Sequence, residues 1–298
     1  MSLRTLHTLT ASGRYFEGPR WHDGRWWASD LYRGAVFAYT PDGTEEEILS
    51  LDGDKPSGLG LLPDGSLLVV GQEARKVWRR NTDGTVSVHA DLNSDTTSDL
   101  NDMVVGSDGR AFVGTYGFDP FDGSTPALGR VIRVESDGSH AVAATDLLFP
   151  NGMVILPDGR LVVAETLAGR FTAFTIAADG DLTDRREWAT LSAPPTIDSM
   201  AELISTVEVM LDGCGADEEG AIWAADPKNA RCIRVREGGE IVDEIAAPEG
   251  LNIFACMLGG DDGQTLLLCV APGLANNERG FDASLRTTTV PVGHGGRP

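Results

Sequence analysis

Short apolar runs, each introduced by a tight-turn signal, recur along the whole chain. They are Trp26-Trp27-Ala28, Leu67-Leu68-Val69-Val70, Ala111-Phe112-Val113-Gly114, Leu161-Val162-Val163-Ala164, Ala221-Ile222-Trp223-Ala224 and Thr265-Leu266-Leu267-Leu268. Runs this short, near-continuous and rich in β-prone residues read as strands buried on both faces. The turns before them are Asp23-Gly24, Asp64-Gly65, Asp108-Gly109, Asp158-Gly159, Glu219-Gly220 and Asp262-Gly263. Asp-Gly is a strong hairpin signal, because both residues tolerate the positive φ that a tight turn demands. Successive glycines of this set lie about 41, 44, 50, 61 and 43 residues apart. A second set, Asp42-Gly43, Asp83-Gly84, Asp137-Gly138, Asp179-Gly180 and Gly238-Gly239, falls about 20 residues further along each unit. Two hairpins per unit of about 45 residues make a four-stranded blade. The pattern therefore predicts an all-β fold, a single six-bladed β-propeller spanning residues 1–298 with four-stranded blades around a central channel.

Two regions depart from the repeat. Strand-like segments at both ends, Leu3 to Leu9 and Leu285 to Val292, are expected to pair within the last blade and close the ring, which removes open sheet edges. Residues 293–298 read as a loose tail. The long fourth interval holds an insertion over residues 193–211. In it Asp198 or Ser199 can cap a short helix with Met200, Leu203, Ile204 and Val207 along one stripe. This segment is either a surface excursion packed on the rim or a lid.

Charge and composition narrow the partners. A formal net charge of −21 over 298 residues repels phosphate backbones and anionic headgroups, so neither nucleic acid nor membrane is an expected partner. The N-terminal residues lack the basic-then-apolar pattern of a signal peptide, and the expectation is a cytoplasmic protein. Cys214, Cys232, Cys256 and Cys269 contain no CxxC pair and read as buried free thiols of a reducing compartment. The sequence has no G-x-S-x-G elbow, P-loop or H-E-x-x-H. Gly213-Cys214-Gly215 lacks the rest of a dinucleotide loop, and the five histidines are scattered.

Blade symmetry supplies the candidate chemistry. About eight residues before each first-set glycine, where the innermost strand begins, stand Glu17, Ser57, Asn101, Asn151, Asp212 and, in the last blade, Phe254 or Ala255. In a propeller these positions ring one mouth of the channel. Glu, Asn, Asn and Asp converging there, with no histidine or thiolate, suit calcium, magnesium or manganese better than zinc or copper. Glu17, Asn151, Asp212 and Asn101 are thus the candidate ligands of one divalent cation, most simply Ca2+. Two carboxylates leave such a site about neutral.

The motifs Glu17-Gly18-Pro19-Arg20-Trp21, Asn101-Asp102-Met103, Pro150-Asn151-Gly152-Met153, and Asp212-Gly213 with Asp217 resemble the hallmarks of the senescence marker protein, regucalcin and gluconolactonase family. The resemblance covers nearly the whole chain at blade spacing. It implies a six-bladed propeller that hydrolyses lactones with a divalent ion. It places metal ligands on Glu17, Asn151 and Asp212, and gives Asn101 a substrate contact within reach of the metal. One departure stands out: where regucalcin-like members carry a sugar-binding arginine two residues before the Asn of the third blade, this chain has Asp99. That substitution and the longer insertion point to a lactone less polar than a sugar lactone, partly covered by Met200, Leu203 and Ile204.

The reaction expected from this resemblance is water attack on a lactone carbonyl polarised by the ion. Asp212 is the first candidate for the base, Asp99 the second, and Asn101 stands at the reacting centre. Ser57, Asn101, Asp99 and Tyr116 are the candidate substrate contacts. Two other readings stay open from sequence. One is phosphotriester or phosphofluoridate hydrolysis on the same scaffold. The other is a propeller that binds calcium or a ligand without catalysis. The metal could also be Mg2+, Mn2+ or Zn2+, and the sequence is silent on oligomeric state.

Overall fold

In a computed structural model, residues 4–273 and 280–295 are described. They form six antiparallel four-stranded sheets, five running in chain order from an inner to an outer strand and the sixth taking its outer strand from the N-terminus. The blades begin at Phe16, Pro56, Leu100, Pro150, Cys214 and Asn252. Their inner strands touch in that order and return from the sixth to the first, which closes the ring.

The apolar runs occupy the second strand of each blade, and all five residues of Leu67–Gly71, Ala111–Thr115 and Ile222–Asp226 are buried. Outer strands are largely exposed and polar, as in Glu45–Ser50 and Val86–Asp91. This gradient from channel to rim is why the inner runs show no alternation: both faces are covered by neighbouring blades.

The turn reading needs a correction. Asp23 and Gly24 both have positive φ (50° and 69°), as the hairpin signal predicts. At Asp64, Asp83, Asp108, Asp137, Asp158 and Asp179 only the following glycine does. These aspartates instead accept the backbone N–H two residues on, as in Ser66 N to Asp64 Oδ1 at 2.9 Å and Thr85 N to Asp83 Oδ1 at 2.9 Å. Asp is selected there as a short acceptor that closes the turn on itself.

Ring closure follows the expected plan with shifted bounds. The strand Ala283–Thr289 pairs with Thr265–Ala271 on one side and with the N-terminal strand His7–Gly13 on the other. Leu3, expected in that N-terminal strand, lies outside the described residues. Gly293 to Gly295, expected in a loose tail, are tied down: Gly293 O accepts from Glu218 N, and Gly295 N donates to Ala216 O at 3.1 Å. Residues 296–298 lie outside the described residues. The expected helix forms over Met200–Thr206, with Ser199 Oγ accepting from Glu202 N. Among the described residues no helix is long and apolar enough to cross a membrane.

Candidate active site

Five of the six inner strands break register where the candidate residue stands. The pairing of inner and second strands slips between Glu17 and Arg20, Pro56 and Leu59, Leu100 and Met103, Pro150 and Met153, and Ile253 and Ala255. Asp212 lies just before Cys214–Ala216, the shortest inner strand. A bulge re-aims a side chain that regular pleating would turn into the blade. This places Glu17, Ser57, Asn101, Asn151 and Asp212 along the wall of one cavity of about 480 Å3. The glycine that follows four of the five, all but Asn101, has a packing reason. A Cβ on Gly152 would lie 2.5 Å from the Asp212 carbonyl oxygen, and Gly18, at φ 54°, would place one 2.6 Å from the Ser57 carbonyl. Only glycine lets neighbouring inner strands approach this closely.

The sixth position departs from the ring. Phe254 is 1% exposed and packs its ring 4.9 Å from Tyr15, within the apolar core between the last and first blades.

Among the described residues the two carboxylates at the floor have no basic partner. Burial, then the charges of Asp212 and Asp102, pushes the Glu17 carboxyl well above the usual range. Asp212 is likewise raised, first by burial and then by Asp102, against hydrogen bonds from Asn151 and the Gly213 backbone. Like charges in a low-dielectric site hold protons unless a cation displaces them. The amides are arranged for that cation. Asn151 donates its NH2 to Asp212, and Asn101 donates its own to the Pro150 carbonyl at 3.1 Å. Among the described residues neither amide oxygen accepts a hydrogen bond, which leaves both as hard neutral donors. The residues present therefore fit one divalent cation. Among the described residues no three of His, Cys, Asp or Glu gather as a metal cluster, so such a site depends on its amides.

Beneath this floor lies a buried ion pair that the sequence motifs contain without explaining. Arg20 (3% exposed) reaches from the first blade to the third, where its Nη2 donates to the Met103 carbonyl at 2.7 Å and stands 3.6 Å from Asp102. Burial lowers the arginine's pKa and raises that of Asp102, while each partner opposes the other's shift.

Three further carboxylates, missed in the sequence, hold the backbone that leads into the site. Asp30, Glu165 and Asp226 are fully buried at the ends of second strands. Asp30 accepts from Arg14 N and Tyr15 N (2.9 and 3.1 Å), just before Glu17. Glu165 accepts from Leu148 N at 2.7 Å, before Asn151, and Asp226 from Met210 N at 3.1 Å, before Asp212. The available signal was an acid closing an otherwise apolar run in the three blades that carry Glu17, Asn151 and Asp212.

Aromatic side chains and charges form the upper wall. Tyr116 accepts a hydrogen bond from Gln72 Nε2 at 2.9 Å and stacks on Phe149 with ring centroids 4.5 Å apart. Phe121, 70% exposed, flanks them. Asp99 stands on the same wall, 3.9 Å from Arg75. Met200, Leu203 and Ile204 are not among the cavity's lining residues. Leu203 is buried with Phe118, Leu148 and Leu167, Met200 packs against that cluster, and Ile204 is 41% exposed. The helix is held by its apolar stripe to the cluster behind Phe149, and the side chains that line the cavity on this wall are Tyr116, Phe149 and Phe121.

Fold and site together define a six-bladed propeller whose channel mouth presents an oxygen-donor cluster to a cavity sized for a small molecule. Residues 16–271 match the model of the SMP-30/gluconolactonase/LRE-like region, and the chain belongs to that family. A pentonolactonase of Haloferax volcanii is 26% identical over 284 residues, which cover 93% of this chain and 89% of the relative. Regucalcin of Agrobacterium tumefaciens, a calcium-binding protein, has the same fold with a TM-score of 0.78 at 19% identity, covering 100% of this chain and 99% of its own. A gluconolactonase of Xanthomonas campestris follows at a TM-score of 0.73 and 22% identity, over 96% of this chain and 90% of its own.

Proposed function

We propose that this chain is a lactonase that opens a lactone ring to the hydroxy acid, with one divalent cation held by Glu17, Asn151, Asp212 and Asn101. The observation that carries the reading is a buried carboxylate, Asp212, beside a partly buried one, Glu17, with no basic partner among the described residues and flanked by two amide oxygens on the floor of the cavity. Membership of a lactonase-containing family supports the reaction class.

A bound divalent cation supplies Lewis-acid polarisation of the carbonyl and acidifies water near it. The chain's own residues do the rest. The Asn101 and Asn151 amides, tied by their NH2 groups to Pro150 and Asp212, are pre-set and need no reorganisation during the reaction. Asp212 takes the proton of the attacking water where its carboxylate is not fully engaged as a ligand. Asp99, on the wall and pushed up to about 6, chiefly by burial and then by Glu73, is the second candidate for this base. The Tyr116 hydroxyl, which accepts from Gln72, keeps its own proton to donate to a ring oxygen or substituent. The stacked Tyr116 and Phe149 rings present an apolar surface to the rest of the substrate, which suits a lactone less polar than a sugar lactone.

The test is acid release in a weakly buffered indicator assay over sugar, aliphatic and aromatic lactones and one phosphotriester, with calcium and with chelator. Lactone turnover that chelator abolishes supports the proposal. Turnover of the phosphotriester alone reassigns the chemistry. Calcium binding without turnover of any substrate makes the chain a non-catalytic propeller.

A further inference from the structure

The upper wall of the cavity carries charge that the cation site does not use. Glu73, Asp99 and Asp119 line it, and Lys55 is the basic residue among the lining residues. Lys55 is committed: its Nζ lies 2.8 Å from Glu73 Oε1. Arg75 reaches Asp99 at 3.9 Å, with its Nε donated to Asn93 at 2.8 Å. Asp119 accepts the backbone N–H of Phe121 at 2.8 Å, which orients its carboxylate without neutralising it. Asp99 feels the fields of both Glu73 and Asp119 as well as those of Arg75 and Lys55. At 3.9 Å, and with its Nε held by Asn93, Arg75 compensates Asp99 only loosely. Asp119 has no ion pair among the described residues, so the wall keeps an excess of negative charge at Asp99 and Asp119. The floor adds no compensating positive charge, because two carboxylates and one divalent ion sum to about zero. Partial burial keeps the screening by salt incomplete at Asp99, whose side chain is 38% exposed.

We propose that this wall is a charge filter: the cavity rejects lactones bearing an anionic substituent and takes neutral or cationic ones, and Asp99 is the residue that sets the selection. The inference rests on the lactonase reading for its substrate class, and the field itself does not depend on it. A like charge brought against a half-buried carboxylate costs on the order of tenfold in kcat/KM, and the penalty shrinks as salt rises. Ring opening adds one carboxylate whatever the substrate, so the same field favours departure of the product over retention.

Two measurements at pH 8 test the filter. The first compares kcat/KM for γ-butyrolactones whose ring carries a hydroxymethyl, a carboxylate or a trimethylammoniomethyl group. The expected result is an anionic substrate slower than the neutral one by on the order of tenfold. That gap should narrow severalfold in Asp99→Asn and narrow with added salt in the unmodified protein. The second needs no catalysis. The native cysteines are all buried, so Phe121→Cys places an accessible thiol at the cavity mouth. Its rates with sulfonatoethyl and trimethylammonioethyl methanethiosulfonate, each divided by the rate with a free thiol, report the local field. The cationic reagent should be favoured by on the order of tenfold, and less so when Asp99→Asn is added. Equal normalised rates for the two reagents, or a preference that Asp99→Asn leaves unchanged, overturn the proposal. If no lactone is opened but the reagents are discriminated, the lactonase reading fails and the filter stands.

Discussion

The side-chain amide of Asn151 donates to the Asp212 carboxylate, joining two neighbouring blades through residues 61 positions apart in sequence. The contact orients both groups at once: it holds one carboxylate oxygen of Asp212 and leaves the Asn151 carbonyl oxygen for a cation. The floor of the site is therefore set by packing between blades and is pre-formed.

Removal of either carboxylate should weaken cation binding more than it weakens the fold. In Glu17→Gln and Asp212→Asn the calcium affinity is expected to fall on the order of a hundredfold, because oxygen-ligand sites are tuned by their charge count. Calorimetric titration with calcium, alongside unchanged far-ultraviolet dichroism, checks this. Unchanged affinity in both variants would put the cation elsewhere.

Protons and cation compete at the floor, with a definite sign. Without cation the folded Asp212 carboxyl is pushed up to about 8, whereas the unfolded chain titrates near 4. Between these values the folded state keeps a proton that the unfolded chain has lost, so metal-free stability falls as pH rises through the window. Calcium should accordingly raise the melting temperature more at pH 8 than at pH 5. Melting curves in calcium and in chelator at both values decide it, and an equal gain at the two pH values counts against the pair as the binding site.

Asp226 should act on Asp212 at a distance. Asp226→Asn weakens the acceptor for Met210 N and the ion pair with Arg231 at 2.9 Å. A loss of about 1.5–3 kcal/mol is expected, as for a hydrogen bond to a charged group. Calcium affinity should fall with it, because the segment leading to Asp212 is loosened. A stability loss with calcium affinity unchanged would make Asp226 purely structural.

The helix Met200–Thr206 should matter for stability and little for turnover. Leu203→Ala opens a cavity among Phe118, Leu148 and Leu167, at a cost of about 2–4 kcal/mol. At temperatures where the variant stays folded, kcat/KM is expected to stay within about twofold of the parent, because Leu203 does not line the cavity and reaches its wall only through the cluster behind Phe149. A large loss of kcat/KM in folded protein would restore a covering role for this segment.

The blades were legible because a strand and a tight turn are local events. Leu67 to Val70 is apolar whether or not its neighbours are known, and Asp64-Gly65 marks a turn from its own chemistry. The five site positions were legible for a related reason, since repetition at blade spacing brings equivalent residues to equivalent places. Their small followers were visible too, although the close approach that demands Gly152 is a property of the ring.

What the sequence by itself determined is the repeat, and with it the propeller and the oxygen-rich mouth. What only the tertiary structure decided is which side chains meet: Arg20 with Asp102 and Met103, Asp226 on the backbone before Asp212, Tyr116 stacked on Phe149, and Leu203 buried among Phe118, Leu148 and Leu167. Alternation and turn chemistry act over a few residues and leave a signature in the chain. Which side chains meet across blades depends on the angle and spacing between whole sheets, and no short stretch of sequence carries that information.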